Sequence, residues 1–513
     1  MKISVGALMS NCGVKFGTSG ARGLSEDITD FIAYTYTLGF IAYLESVCEI
    51  PKQSTSLSAE DEKKSQLFHQ RAIAVAGDLR PSTDRIVEAV CRAIEDANGK
   101  PIYCGKIPSP ALALYGFKNL IPSIMVTGSH IPADRNGIKF NKPHTELLKS
   151  DEEGIRRQVV NVDESLFDSS GFFKEKRQRQ RSVNDEAKQL YISRYIDFFE
   201  KDIFKSLKIG VYQHSAVGRE ILVEILRQLG ANVTTLGYSE QFVPVDTEAI
   251  RETDVQLAQK WAAEFKFDAI VSTDGDSDRP LISDENGNWL KGDIVGLLCA
   301  RFLGADSVSI PISCNTAIEK SGYFAEVKRT KIGSPYVIES MQEAILKGRK
   351  IVVGFEANGG FLLQSKVVGK NGNVLDPLPT RDSVLPILAI LCLSKTSGKS
   401  ISSLLAKLPQ RHTASDRLTN FEQSRSRAIL EKFSSVDEKK NLSEIENYFG
   451  AISGKPAQVN RLDGVRITFE NGEIIHLRPS GNAPEFRCYT EADSQTRAIE
   501  INRKCLDIIK KNF

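Results

Sequence analysis

The chain has no pair of cysteines at CxxC spacing, and its nine cysteines are odd in number and widely spread. That pattern suits reduced thiols in a cytoplasmic protein better than a disulfide framework. The six histidines (His69, His130, His144, His214, His412 and His476) show no zinc-like spacing. Net charge is also missing: 67 Lys and Arg stand against 65 Asp and Glu, a formal balance of +2. Nothing global therefore favours nucleic acid or an acidic membrane surface as partner. Long apolar runs are absent as well. The longest, "VLPILAILCL" at residues 384–393, is too short for a bilayer and contains a proline. The opening "MKISVGALMSNCG" has only a few apolar residues in a row and runs into "VKFGTSGARG" with no small-residue cleavage site. The expectation is a soluble, cytoplasmic chain with no signal peptide and no membrane partner.

What is present is ordinary globular composition, 41% hydrophobic and 26% charged, over 513 residues, too many for one core. A strand, polar turn, helix and strand recur at residues 72–105, 208–237 and, shorter, 307–333. "RIVEAVCRAIEDA" and "REILVEILRQLG" place apolar residues at helical spacing, between continuously apolar strands of the buried parallel kind. Repetition of this unit predicts an α/β protein of three similar domains. The last hundred residues read as helix, strand, a hairpin at Asn471-Gly472, strand, loop, strand and helix, a smaller α+β domain. The expected boundaries are 1–170, 186–290, 291–411 and 412–513. Residues 51–66 and 172–188 are polar and read as an insertion and a linker; the basic cluster of residues 174–181 is taken as solvated.

Five loops carry chemistry. In "FDAIVSTDGDSDRP" an apolar strand ends in Asp274, Asp276 and Asp278, carboxylates on alternate residues that repel unless a cation joins them. Hard oxygen ligands in a short loop suit Mg²⁺. Glu285 falls at the twelfth position of an EF-hand, but the sixth is Arg279 where glycine is needed, and a strand precedes the loop, so an EF-hand is rejected. Arg279 directly behind the metal is placed to hold a phosphate oxygen. In "TGSHIPADRNGIKF", Ser129 follows a strand and Gly128, beside His130 and ahead of Lys139, which lies beyond an Asn136-Gly137 turn. A serine hydroxyl needs a base, a metal or a pre-formed phosphate to react, and these residues alone equally describe a polar turn. "GFEANGGF" offers Glu356, whose two oxygens can each accept a sugar hydroxyl, or a glycine-rich turn. "RPSGNAPEFR" has the parts of a phosphate cradle or of a plain β-turn. "KFGTSGARG" presents Arg22 on a tight loop that lacks the Gly-Lys-Ser/Thr ending of a Walker motif.

The order of these loops is more specific than any one of them. "FGTSGARG", "TGSHIP…NGIK", "DGDSDR", "GFEANGG" and "RPSGN" together resemble the α-D-phosphohexomutase superfamily of phosphoglucomutases, phosphomannomutases and phosphoglucosamine mutases, over essentially the whole chain. The resemblance implies three α/β domains with mixed sheets and a smaller C-terminal domain around a central cleft. It implies a phosphorylated Ser129 that joins Asp274, Asp276 and Asp278 in holding Mg²⁺, with Arg22 and Arg279 steadying the phosphoryl group. Lys139 and His130 become the proton-transfer candidates. Glu356 and Asn358, with Lys331 and Gly333, become sugar contacts; Arg478, Ser480, Gly481, Asn482 and Arg487 become the grip on the phosphate not being transferred. A hexose phosphate would be the substrate, a hexose 1,6-bisphosphate the intermediate and activator, and the enzyme a monomer or homodimer.

Departures from the family pattern refine this. Ser277 stands where glycine or alanine is common, Ile131 at a usual asparagine, Asn358 where serine is frequent, and Asn482-Ala483 where Thr-Glu is frequent. "FEANGG", "GSHIP" and "KIGSPYVI" are most similar to a bacterial phosphomannomutase subgroup, implying mannose 6-phosphate and mannose 1-phosphate. A phosphatase using the same phosphoserine and an idle sugar-phosphate binder are the rival readings. The idle one requires loss of the serine or an aspartate, and none is lost.

Overall fold

The helix Thr83–Asp96 carries the apolar face expected of it, burying Ile86, Val87, Val90, Cys91 and Ile94. It packs on the strand Ala72–Gly77, whose six residues are all buried. This computed structural model describes residues 1–17, 20–50, 71–175, 181–480 and 484–513. The insertion at residues 51–66, the glycine-hydroxyl pair Thr18 and Ser19, residues 176–180 of the basic cluster, and Gly481 and Asn482 of the phosphate loop lie outside them.

Four mixed or antiparallel sheets organise the chain. In the first, Ala72–Gly77 pairs in parallel with Lys100–Lys106 and Ser123–Val126. Arg135–Asn141 then returns antiparallel beside Ser123–Val126. The second sheet sets Lys208–His214 between Asn232–Tyr238 and Ala269–Thr273, all parallel, and Pro280–Ile282 returns antiparallel. The third sets Ser307–Pro311 between Glu326–Thr330 and Val352–Phe355 in parallel, and Phe361–Leu363 returns antiparallel. Each of these sheets thus ends a parallel strand in a loop and sends the chain straight back. The three loops so made are residues 127–134, 274–279 and 356–360, which hold the serine, the aspartates and the sugar-loop glutamate. The fourth sheet is antiparallel throughout, and the phosphate loop joins Ile474–Pro479 to Glu485–Ala492.

One hydrophobic cluster runs through the second and third sheets and one face of the first, linking Leu112, Ile209, Leu298 and Ile387. The C-terminal sheet has a separate core around Phe433, Phe449, Ile467 and Phe486. The apolar run at residues 384–393 forms the buried helix Val384–Ser397, packed on Gly292–Leu303. Among the described residues no helix is long and apolar enough to cross a membrane.

Four readings of the sequence change in detail. Asn136-Gly137 is not a turn but part of the strand Arg135–Asn141. Glycine is needed there because a Cβ would lie 2.7 Å from the Ala21 carbonyl oxygen and 2.9 Å from that of Thr127. The third repeat keeps only one helical turn, Ala317–Lys320, between its strands. The C-terminal domain has two strands beyond those read, His412–Thr419 and a split of one segment into Pro456–Asn460 and Val465–Phe469 at Gly464. The basic linker is not wholly solvated, because Arg181 pairs with Glu88 and Glu95 of the first domain's helix.

Candidate active site

The serine loop is built on Asp78, at the end of the strand Ala72–Gly77. Its carboxylate accepts from Thr83 Oγ1 at 2.6 Å, Thr127 Oγ1 at 2.8 Å and the Gly128 N–H at 3.2 Å. Arg80, fully buried, binds Asp78 through Nε at 3.1 Å. Its remaining nitrogens donate to the carbonyls of Ser129 at 2.9 Å, Ile131 at 2.6 Å, Pro132 at 2.5 Å and Arg135 at 2.8 Å. One planar fork therefore gathers these carbonyls onto a single buried cation. Ser129 is held at φ +55°, in the left-handed region that a non-glycine residue enters only when its surroundings compel it.

That backbone turns the Ser129 hydroxyl onto the metal loop, where it donates to Asp274 Oδ2 at 2.6 Å. Gly275 permits the approach, since a Cβ there would lie 2.5 Å from the Ser129 carbonyl oxygen. Asp274 Oδ1 accepts the N–H groups of Asp278 and Arg279, each at 3.1 Å. Ser277 adopts φ +57°, and its hydroxyl accepts from the Gly218 N–H at 2.9 Å and Thr273 Oγ1 at 2.8 Å. The serine is thus bonded into the turn, not merely tolerated there.

Asp274, Asp276 and Asp278 are all buried, with ligand atoms within 4.8 Å of one another. Lys139 Nζ donates to Asp276 Oδ2 and Asp278 Oδ2, both at 2.6 Å, and Ser109 Oγ donates to Asp276 Oδ2 at 2.6 Å. The other oxygens of Asp276 and Asp278 are buried with no hydrogen-bond partner. Orphaned carboxylate oxygens beside a short loop fit a hard divalent cation. Burial and the other two carboxylates push the Asp274 carboxyl well above its ordinary range. Burial pushes the same way at Asp276, but Lys139 and Ser109 outweigh it and hold that carboxyl low.

Cations crowd the other side. Arg279 Nε lies 3.9 Å from Asp274 Oδ2 and 3.7 Å from Asp278 Oδ1. Burial and the charges of Arg279 and Arg381 push the Arg22 guanidinium down to about 10. The Nε atoms of both Arg22 and Arg279 are buried without acceptors. Like charges gathered at this density, with donors to spare, match the oxygens of a phosphoryl group. His130 Nδ1 lies 3.3 Å from Ser129 Oγ, and its Nε2 faces Asp246 at 4.0 Å. Burial, Arg279 and Arg22 hold His130 well below its ordinary value, so its imidazole is neutral.

In the sugar loop, Glu356 Oε2 accepts from Arg381 Nη1 at 3.2 Å, which leaves lone pairs on both carboxylate oxygens. Asn358 Oδ1 accepts the Gly360 N–H at 2.9 Å, and the Asn358 carbonyl accepts Thr247 Oγ1 at 2.7 Å. Gly333 stands at the N-terminus of the helix Ser334–Leu346 with φ +132°, and Lys331 is exposed over the Tyr336 ring. Asp463 ties this segment to the phosphate loop: it accepts the Ile332 N–H at 2.9 Å and Arg478 Nε at 2.8 Å. Ser480 is buried, its N–H donating to the Glu485 carbonyl at 2.8 Å. Arg487 Nη2 meets Glu485 Oε2 at 3.3 Å, and its Nε is buried without an acceptor. Glu285, the discarded EF-hand ligand, is turned away to accept the Ser402 N–H at 3.2 Å.

Sequence reasoning missed Asp78, Arg80, Ser109, Asp246 and Arg381. "GDLRPST" did hold a signal for the first two, a carboxylate and an arginine directly after an all-apolar strand. Ser109 and Arg381 meet the aspartates across 167 and 103 residues of chain, which no local pattern spans.

Comparison with known proteins agrees with this geometry. The chain matches the phosphoglucomutase/phosphomannomutase alpha/beta/alpha domain I over residues 59–165, domain II over 191–287, domain III over 291–412 and the C-terminal domain over 432–507. It is 42% identical to a phosphomannomutase of Salmonella muenchen, covering 99% of this chain and 98% of that one. It is 41% identical to a phosphomannomutase of Sinorhizobium fredii, covering 98% and 100%. Among solved structures, the putative phosphomannomutase of Thermus thermophilus superposes with a TM-score of 0.69 at 18% identity, covering 97% of this chain and 99% of that one. The serine on its aspartate loop, the four sheets and these full-length likenesses together make the chain a member of the phosphoglucomutase/phosphomannomutase family.

Proposed function

We propose that the protein interconverts mannose 6-phosphate and mannose 1-phosphate through a phosphoserine and a mannose 1,6-bisphosphate. The observation that carries this reading is Ser129 Oγ, 2.6 Å from Asp274 Oδ2 in a buried three-aspartate loop. The choice of mannose rests on the names of the two relatives at 42% and 41% identity. Division of labour follows the chain: residues 1–170 carry the phosphoserine loop, 186–290 the metal loop, 291–411 the sugar loop and 412–513 the phosphate loop.

Asp274, Asp276, Asp278 and the phosphate on Ser129 would hold Mg²⁺, which neutralises phosphoryl charge when bound. The residues supply the rest. The sugar hydroxyl attacks the phosphorus of phosphoserine in line; the new P–O bond forms as the bond to Ser129 Oγ breaks. The hydroxyl proton passes to the neutral imidazole of His130, and Lys139, an ammonium bonded to Asp276 and Asp278, is the candidate to return a proton to Ser129 Oγ. Arg22 and Arg279 present guanidinium donors to the phosphoryl oxygens throughout. Glu356, with Asn358, Lys331 and Gly333, orients the sugar. Arg478, Ser480, Gly481, Asn482 and Arg487 hold the phosphate that is not reacting. The bisphosphate turns over in the cleft, and its other phosphate returns to Ser129. Added hexose 1,6-bisphosphate activates by restoring phosphoserine after it is lost. The reading takes the enzyme as cytoplasmic, a monomer or homodimer.

Phosphorus NMR of the protein with mannose 1-phosphate, Mg²⁺ and a trace of bisphosphate tests this reading. The mannose 6-phosphate resonance should grow at the expense of the starting one. Inorganic phosphate as the main product would mean a phosphatase, and unchanged spectra an idle binder. Glucose 1-phosphate and glucosamine 1-phosphate, run in parallel, test the choice of sugar.

A further inference from the structure

Each aspartate of the metal loop has one oxygen that is fully engaged by the protein. Asp274 Oδ1 accepts the Asp278 and Arg279 N–H groups, each at 3.1 Å. Asp276 Oδ2 accepts Ser109 Oγ and Lys139 Nζ, both at 2.6 Å. Asp278 Oδ2 accepts Lys139 Nζ at 2.6 Å and Arg381 Nε at 3.1 Å. A carboxylate oxygen has two lone pairs, so two donors fill each of these three. The partner oxygens are the reverse. Asp276 Oδ1 and Asp278 Oδ1 are buried without a hydrogen-bond partner, and Asp274 Oδ2 accepts the Ser129 hydroxyl at 2.6 Å.

The side-chain donors come from elements far apart in the chain. Ser109 opens the helix Ser109–Asn119, Lys139 lies on the strand Arg135–Asn141, and Arg381 on the strand Leu378–Asp382. Ser109 holds the metal loop twice, because its own N–H also donates to the Asp276 carbonyl at 3.0 Å. That backbone bond keeps the loop in place without the hydroxyl. The hydroxyl therefore acts on the carboxylate, deciding which of its oxygens is engaged by the protein. An aspartate with one oxygen filled presents a single oxygen to a cation. Three single oxygens suit the strict octahedral shell of Mg²⁺, whereas Ca²⁺ takes more ligands and gains from carboxylates that grip with both oxygens.

Resting on the metal-loop reading above, we infer that Ser109 is a positioning residue for the cation: its hydroxyl closes the second oxygen of Asp276 and so favours a small octahedral ion over Ca²⁺. Isothermal titration of the full-length, metal-free protein with MgCl₂ and with CaCl₂ gives the ratio of the two dissociation constants. Ser109→Ala should weaken Mg²⁺ binding about tenfold and leave Ca²⁺ bound as tightly as before or more tightly. The ratio thus shifts toward Ca²⁺ by about tenfold or more, with a metal-free unfolding temperature close to the parent's. An unchanged ratio in Ser109→Ala overturns the inference. So does an equal weakening of both ions, which is what a purely structural role would give. A parent that takes up neither ion, or an Asp276→Asn variant that binds both as the parent does, overturns the metal-loop reading itself, and the inference with it.

Discussion

Arg80 and Asp78 lie outside the three-aspartate cluster, yet they shape the serine loop. Both side chains are fully buried, and the guanidinium alone serves four loop carbonyls. Arg80→Met would leave the Asp78 carboxylate buried and unpaired, a change that typically costs about 3–5 kcal/mol. The expected result is a clear fall in unfolding temperature, with Arg80→Lys intermediate. Calorimetry of the three proteins checks it; equal unfolding temperatures would contradict the assigned role. Ser129→Ala makes the complementary case. It removes a hydroxyl whose partner is Asp274, and should abolish the phosphopeptide seen by mass spectrometry and cut turnover about a thousandfold or more. Phosphate mapped to another serine would contradict it.

At the scale of elements, the recurring device is a parallel strand, a tight loop and an antiparallel return. Glycines in these loops are fixed by approach between loops. A Cβ on Gly275 would lie 2.5 Å from the Ser129 carbonyl oxygen, so Gly275→Ala must push the metal loop away from the serine. Activity should fall about tenfold or more while circular dichroism stays that of the parent, since positioning errors of an ångström cost rates before they cost folds. Unaltered kinetics would show that the two loops have room to spare. The same device explains what was legible. Each motif loop follows an apolar strand with few turn residues of its own, so "STDGDSDR" and "MVTGSHIP" stand out by composition. Asn136-Gly137 misled because glycine there relieves crowding between strands, a cause with no local signature. Arg381 was invisible for a different reason. In "LPTRDSV" it is an ordinary strand arginine, and only folding sets it between Asp278 and Glu356.

At the scale of the whole molecule, the first three sheets share a continuous apolar core, the C-terminal domain has its own, and polar contacts link the two. Arg411 binds Glu491 at 2.7 Å, and Glu491 also accepts the Thr316 N–H at 3.0 Å. Close to this junction Asp293 is buried, with one oxygen on the Asn315 N–H at 2.8 Å and the other unpartnered. Burial, with Glu491 adding to it, pushes its carboxyl up to about 6. The folded protein therefore binds this proton more tightly than the unfolded chain does. Its contribution to stability is present below the ordinary carboxyl range and is lost as pH rises through about 6. Asp293→Asn, which cannot ionise, should unfold at a higher temperature than the parent at pH 7.5, with the gap closing toward pH 5. A gap that does not change with pH would contradict this. The four-sheet plan was legible because strand-helix-strand periodicity repeats; the packing between sheets was not, because it depends on residues hundreds of positions apart.

The central claim is that the phosphoryl group on Ser129 is handed to a sugar and not to water. Single-turnover transfer from isotopically labelled phosphoenzyme to a stoichiometric amount of mannose 1-phosphate measures this most directly. The account predicts the label in mannose bisphosphate and mannose 6-phosphate, with Ser129 rephosphorylated by the unlabelled phosphate of the substrate. Label released as inorganic phosphate, with mannose 1-phosphate unchanged, would contradict it.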